Sequence, residues 1–372
     1  MKKIGIDGRL YSQTGVGVYI KNLIFYLEKQ NIKDTVFYLY LMDQDFDKVS
    51  FKSDNFVKKR ANYLWHSFSE QIGFLKTLNE DNLDLMHFTY FSYPIFYKRP
   101  FITTIHDLTP LLFKTGKSST RNSFIYSLKH FVFKRILFAQ VRNSQAIITP
   151  TMTVKKQIVQ YYGTKYEQKV YPIYEGINYQ LISSQTGVNS RIPVNVLKPF
   201  FIYVGNFYPH KNVENLIKAF SNVTGNYKLV LIGPKDFFTQ RILRCINSLK
   251  QDKKIIVDTQ ASLNDLIFYY KNASALIHPS FSEGFGLPII ESVYFNLPII
   301  GSNIEVFNEL LGDEYISFNP KKIEDMVDKI NAFVNRPVKF NYSKLMEKYS
   351  FEKMTRETLG IYQRLLSCIF SS

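Results

Sequence analysis

Short apolar runs alternate with amphipathic stretches along this chain, in two series separated by a polar gap. In the first series KIGIDG (3–8), VFYLYLM (36–42), LDLMHF (83–88), FITTI (101–105) and AIITP (146–150) read as strands, with helices through Val18–Leu27 and Thr151–Tyr162. Near-continuous apolar runs of this length mark strands buried on both faces, the signature of a mostly parallel sheet covered by helices. Residues 183–199, SSQTGVNSRIPVNVLKP, lose that periodicity and collect Ser, Gly, Asn and Pro. They read as an interdomain linker, centred on 186–198. The series then restarts with FFIYVGN (200–206), a helix Val213–Phe220, YKLVLIG (227–233), KIIVD (254–258), SALIHP (274–279) and LPIIGS (297–302), and Phe351–Phe370 reads as a final helix. The expected fold class is α/β: two Rossmann-like, doubly wound domains, residues 1–185 and 199–350, with strand C-termini facing a cleft. A length of 372 residues gives each domain a proper core.

Charge narrows the partners. The chain has 47 basic and 31 acidic residues, a net +16. That sign suits nucleic acid, an anionic membrane surface or an anionic substrate. Two cysteines, Cys245 and Cys368, cannot build a disulfide framework and have no zinc-like spacing, so a reduced, cytoplasmic compartment is expected. Asp7 and Arg9 interrupt the N-terminal apolar run that a signal peptide needs, and no run of about 18 apolar residues exists. The surplus is local: residues 98–169 hold 13 basic and 2 acidic groups. Within them, residues 121–142 form a basic, aromatic helical pattern, with Phe124, Leu128, Phe131, Val132, Arg135 and Phe138 at helical spacing and Lys129, Lys134 and Arg142 between. Such a helix packs on a core or lies in a lipid interface.

Four segments can carry chemistry. HPSFSEGFGLPIIESVYFNLPIIGSN (278–303) follows a buried strand and opens a helix near Gly286. It places Glu283 in the loop and Glu291 in the helix, where free N–H groups favour an anion. A plain strand–loop–helix with solvated glutamates has the same spacing. YVGNFYPHKN (203–212) puts Lys211 before a helix, as a phosphate-binding point charge or a surface lysine. DGRLYSQTGVGVYIKNL (7–23) sets Gly15 and Gly17 between strand and helix, as a phosphate loop or a tight turn. Position 20 is Ile, so the dinucleotide fingerprint is incomplete and NAD is disfavoured. TTIHDLTP (103–110) ends a strand at His106 and Asp107, a proton-transfer pair or a loop cap.

Together the four segments resemble retaining GT-B glycosyltransferases of glycosyltransferase family 4, over nearly the whole chain. The most specific is the E-x7-E block Glu283-GFGLPII-Glu291, supported by the GNFYPHKN loop, the Gly15–Gly17 turn and Ser302–Leu310. Pattern is nearest to mannosyl- and rhamnosyl-type enzymes of bacterial surface polysaccharides. The resemblance implies that residues 199–350 bind a nucleotide-diphosphate sugar, that residues 1–185 bind an acceptor, and that helix 351–372 crosses back to the first domain. It implies Glu283 on the sugar hydroxyls, Glu291 on the ribose, and Phe285, Gly286 and Leu287 amides on sugar and diphosphate. Lys211 neutralises the diphosphate, Gln260 meets the base, and His106 with Asp107 lies by the reactive carbon and acceptor. Asn206 replaces an Arg the family commonly has, and His210 stands where an Arg often precedes the lysine. No metal or other cofactor is expected, and no nucleic acid. A polyprenyl-linked acceptor would bring peripheral contact, through 121–142, with the inner face of an anionic cytoplasmic membrane. The alternative is a non-catalytic basic binding protein on a decayed GT-B fold.

Overall fold

The computed structural model describes residues 1–30, 32–112, 123–184 and 198–371. Among them stand two parallel sheets. The first contains β1 (Lys2–Asp7), β2 (Thr35–Leu41), β3 (Phe56–Arg60), β4 (Leu85–Phe88), β5 (Phe101–Thr104), β6 (Ala146–Thr149) and β7 (Val170–Pro172), ordered β3-β2-β1-β4-β5-β6-β7. The second contains β8 (Phe200–Val204), β9 (Lys228–Ile232), β10 (Ile255–Asp258), β11 (Leu276–His278), β12 (Ile299–Ser302) and β13 (Ile316–Phe318), ordered β10-β9-β8-β11-β12-β13. Both orders run outward from the first strand in one direction and then reverse. The reversal lies between β1 and β4, and between β8 and β11. Helix N-termini diverge there, so a doubly wound sheet binds ligands beyond the strand C-termini at that point.

The chain divides into two compact units, Met1–Glu175 with Phe351–Ser372, and Gly176–Ser350. Expected linker positions 186–197 lie outside the described residues, as do 121 and 122. The first unit packs Tyr40, Phe74, Phe88, Tyr93 and Phe101 in one cluster, and Ile105, Leu137, Val141, Ile147 and Val154 in another. The second packs Phe201, Tyr203, Leu216, Phe220, Leu231, Ile242, Ile330 and Phe333. The helix Phe351–Ser371 buries Phe351, Met354, Thr355, Thr358, Leu359, Tyr362 and Leu366, a three-and-four spacing that makes one apolar stripe. That stripe packs on the helix Val16–Lys29 of the same unit.

The helix Ser123–Asn143 turns in a way its sequence leaves open. Its core face is Ile136, Leu137, Gln140 and Val141. Phe131 and Val132, two members of the aromatic stripe, are 53% and 47% exposed. Among the described residues, no helix is long and apolar enough to cross a membrane.

Candidate active site

β8 ends at Val204, and the chain turns through Gly205 into a loop that delivers Lys211 from a short turn, Pro209–Lys211. Asn212 follows at φ 60°, starting the helix Val213–Phe220. Its amide Nδ2 donates to the carbonyls of Pro279 (3.0 Å) and Pro320 (2.9 Å), which ties this loop to the end of β11. Lys211 thereby meets Glu283, and Nζ donates to both carboxylate oxygens at 2.7 and 2.8 Å. Ser280 Oγ donates to Glu283 Oε1 at 2.7 Å, and His278 Nε2 to the same oxygen at 2.9 Å. Burial pushes the Glu283 carboxyl up, but Lys211 and His278 outweigh it and hold it well below the usual range. Burial pulls the His278 imidazole down, so it is the neutral ring that donates to Glu283. Its plane stacks on Tyr203 at 5.7 Å, and its buried Nδ1 has no hydrogen-bond partner among the described residues.

After Glu283 the backbone reaches Gly286 at φ 93°, a left-handed conformation that favours glycine, and the helix Leu287–Tyr294 begins. Its first-turn amides lack helical acceptors, which makes this end electropositive. Phe285 is buried with its ring edge toward Tyr349, and Leu287 is half-buried. Glu291 lies on the second turn, and Tyr270 Oη donates to its Oε2 at 2.5 Å. Burial raises the Glu291 carboxyl to about 7 despite that hydrogen bond. Glu283 and Glu291 share no hydrogen-bond partner among those described, so the two glutamates occupy distinct electrostatic settings. The Asn206 carbonyl accepts from Tyr203 Oη at 2.6 Å, and its buried Oδ1 is unpaired among the described residues. Gln260 is exposed, and its N–H donates to Asp258 at the end of β10.

The remaining singled-out residues belong to the first unit. Gly15 is the N-cap of Val16–Lys29 at φ 62°, and at Gly17 a Cβ would come within 2.5 Å of the Tyr11 carbonyl oxygen, so the helix start needs glycine there. His106 follows β5. Its Nδ1 is 3.2 Å from Glu175 Oε1, its Nε2 is 3.0 Å from the Thr89 carbonyl, and its ring meets Tyr19 edge-on at 4.9 Å. Asp107 accepts from the Thr109 N–H at 2.7 Å. Sequence reasoning did not single out His278 as a partner of Glu283, nor Ser280, Asn212 or Tyr270. The first two lie inside the quoted 278–303 segment, but their convergence on one oxygen depends on how the loop folds. It also missed a buried ion cluster at the end of β1, where Arg9 donates to Asp7 at 2.7 Å and to Glu70 at 2.8 Å.

Two doubly wound sheets, with a lysine–glutamate pair and a helix N-terminus at the second sheet's reversal point, define a GT-B type glycosyltransferase. Residues 13–181 match Glycosyltransferase Family 4, and residues 190–353 match Glycosyl transferases group 1. Between them the two matches span most of the chain, which belongs to these glycosyltransferases. It is 26% identical over 294 residues to the O-antigen chain mannosyltransferase RfbU of Salmonella typhimurium, covering 76% of this chain and 77% of that one. Among solved structures it is similar to a sucrose-phosphate synthase from Thermosynechococcus elongatus (TM-score 0.80, 15% identity, 99% and 100% coverage). It is also similar to HepE from Anabaena in complex with UDP and glucose (TM-score 0.72, 13% identity, 98% and 100% coverage).

Proposed function

We propose that this chain is a retaining hexosyltransferase of surface polysaccharide biosynthesis. It would move a hexose or deoxyhexose from a nucleotide-diphosphate sugar, GDP-mannose being favoured, to a hydroxyl of a glycan or polyprenyl-linked oligosaccharide. The observation that carries this reading is the Lys211–Glu283 pair beside the N-terminus of Leu287–Tyr294. Breaking the sugar–phosphate bond leaves negative charge on the departing diphosphate. Lys211 and the amides of Phe285, Gly286 and Leu287 stabilise that charge as it grows, and only such a differential interaction raises the rate. In the resting site Lys211 is held by Glu283. Donor binding draws the ammonium to the diphosphate and leaves Glu283 for the sugar hydroxyls, with Ser280 and His278 still holding its carboxylate. Glu291 takes the ribose hydroxyls, and Asn206 and Gln260 line the nucleotide. His106 and Asp107 serve the acceptor hydroxyl. The cation meeting the leaving group is a lysine, so transfer is expected to survive EDTA.

The mannosyltransferase relative supports the donor class and the pathway type. The outward-facing Phe131 and Val132 support a peripheral position on the inner face of the cytoplasmic membrane. The test is a transfer assay with GDP-mannose, UDP-glucose and dTDP-rhamnose on a polyprenyl-linked acceptor, with the product anomer read by NMR. An α-linked product from an α-linked donor is expected. A product anomer opposite to that of its donor overturns retention, and no transfer or hydrolysis with any donor overturns the enzyme reading.

A further inference from the structure

Three strand ends of the first sheet meet at His106. It lies two residues after β5, Thr89 lies one residue after β4, and Glu175 lies three residues after β7. All three belong to the first unit. Both nitrogens of the His106 ring are engaged. Nε2 is 3.0 Å from the Thr89 carbonyl oxygen, and Nδ1 is 3.2 Å from Glu175 Oε1. A carbonyl only accepts, so Nε2 carries a proton. A second proton lies between Nδ1 and Oε1, because a ring lone pair and a carboxylate oxygen repel each other. Of these two kinds of group the imidazole is the stronger base, with reference pKa values of about 6.5 against about 4.3, so that proton belongs on the ring. The two side chains are only 12% and 5% exposed, so solvent screens the pair little.

The groups around the pair leave this charge to Glu175. Tyr19, from the helix Val16–Lys29, meets the ring edge-on at 4.9 Å, and its hydroxyl lies 3.0 Å from Thr104 Oγ1. Burial and the Glu175 charge hold that hydroxyl well above its ordinary range, so it stays neutral. On β4, burial and the His106 charge keep the His87 ring neutral. Asp107, next in the chain, is turned to the Thr109 N–H. Among the described residues, Glu175 is the one acid within ion-pair distance of His106. We propose that Glu175 is a positioning residue that holds His106 as an imidazolium, so that His106 gives the acceptor site a fixed positive charge and not a base. A ring with both N–H groups engaged has no lone pair for a hydroxyl proton, whereas its charge stabilises negative charge that develops nearby. This rests on the placing of His106 by the acceptor in the proposed function and states how it acts there.

The chain has six histidines, few enough to resolve by NMR. In the full chain labelled with 15N-histidine, the His106 ring signals are those missing from His106→Gln. At pH 7 both His106 nitrogens should show protonated shifts in the wild-type protein. In Glu175→Gln, whose amide can donate to Nδ1, the Nδ1 signal should move to the unprotonated range. An unprotonated ring nitrogen in the wild-type protein overturns the proposal. That measurement needs no substrate and no variant at Glu175, so failure here is distinct from failure of the transferase reading. Transfer is then followed as the ratio of Glu175→Gln kcat to wild-type kcat, which cancels the titration of Glu291, common to both. The ratio should fall roughly tenfold from pH 5.5 to pH 7.5, because acid restores the ring proton that Glu175 no longer holds. Glu175→Asp keeps the charge and should recover the wild-type profile. A ratio that is flat with pH leaves Glu175 a purely structural role and overturns the proposal. A ratio that rises with pH makes His106 a base and overturns it as well.

Discussion

The two oxygens of Glu283 are not equivalent. Oε1 accepts from Lys211, Ser280 and His278, whereas Oε2 accepts from Lys211 alone in the described contacts. In the proposed function Lys211 turns to a diphosphate, and Oε2 is then the oxygen with room for a sugar hydroxyl. Lys211→Ala and Glu283→Ala should each lower transfer by roughly 10²–10³-fold, as removal of one preorganised charge-stabilising group does. Turnover assays with a matched donor check this, and circular dichroism should show an intact fold. Normal rates in both variants would remove the pair from the mechanism. Glu291 gives a pH signature. Its folded pKa, about 7, exceeds the unfolded value near 4.5, so the folded state binds the extra proton. The full stability contribution is present below pH 4.5 and is lost as pH rises through 7, a loss of up to about 3 kcal/mol. Glu291→Gln keeps an acceptor for Tyr270 without an ionisable proton. It should raise the melting temperature at pH 8 and flatten its fall between pH 4.5 and 7, while weakening nucleotide binding. The Glu283 and Lys211 pairing was half legible, since each lay in a segment whose spacing pointed to a ligand site. That they pair in the resting protein was not, because 72 residues separate them and only the β8–β11 adjacency brings them together.

At the scale of elements, the central strands and one edge, β10, could be read from sequence, and the other three edges could not. β3, β7 and β13 escape a search for apolar runs, and each is an edge strand of its sheet: FVKKR carries two lysines and an arginine, VYP ends in proline, and ISF has three residues. Lysine, proline and shortness are the devices that keep a sheet edge from pairing further, and they erase the apolar signal. The helix Phe351–Ser371 was legible by period, but its polar link was not. Tyr362 Oη lies 2.6 Å from His87 Nδ1, and His87 Nε2 lies 2.8 Å from Thr104 Oγ1, two residues before His106. Burial pulls the His87 imidazole down to about 3, so the ring is neutral and depends on these partners. Tyr362→Phe leaves a buried ring nitrogen unpaired, which costs about 1–3 kcal/mol. The urea midpoint should fall accordingly with an unchanged slope, and an unshifted midpoint would show that the link is idle.

For the whole molecule, the separation of duties between units decides where ligand energy appears. Each unit has its own sheet and its own apolar clusters. Lys211, Glu283 and Glu291 all lie in Gly176–Ser350, whereas the excess positive charge lies in residues 98–169, inside the first unit. In the proposed function, net charge is therefore an argument about the unit assigned to the acceptor and says little about the donor. A ligand that binds only the folded state stabilises by about 2.7 kcal/mol at a hundred times its dissociation constant. For a unit of this size that is roughly 5–10 °C. Calorimetry with GDP-, UDP- and dTDP-sugars should move the transition of the second unit and leave that of the first nearly in place. The nucleotide giving the largest shift identifies the base. Glu283→Ala and Lys211→Ala should remove the shift, because the groups proposed to meet sugar and diphosphate are gone. A shift confined to the first unit's transition, or one that survives both substitutions, would place the donor elsewhere. Duplex DNA is the contrasting ligand. Binding there would fall steeply with salt, act on the basic first unit and be indifferent to Glu283. The direction of the shift between units thus separates a transferase from a basic binding protein on the same fold.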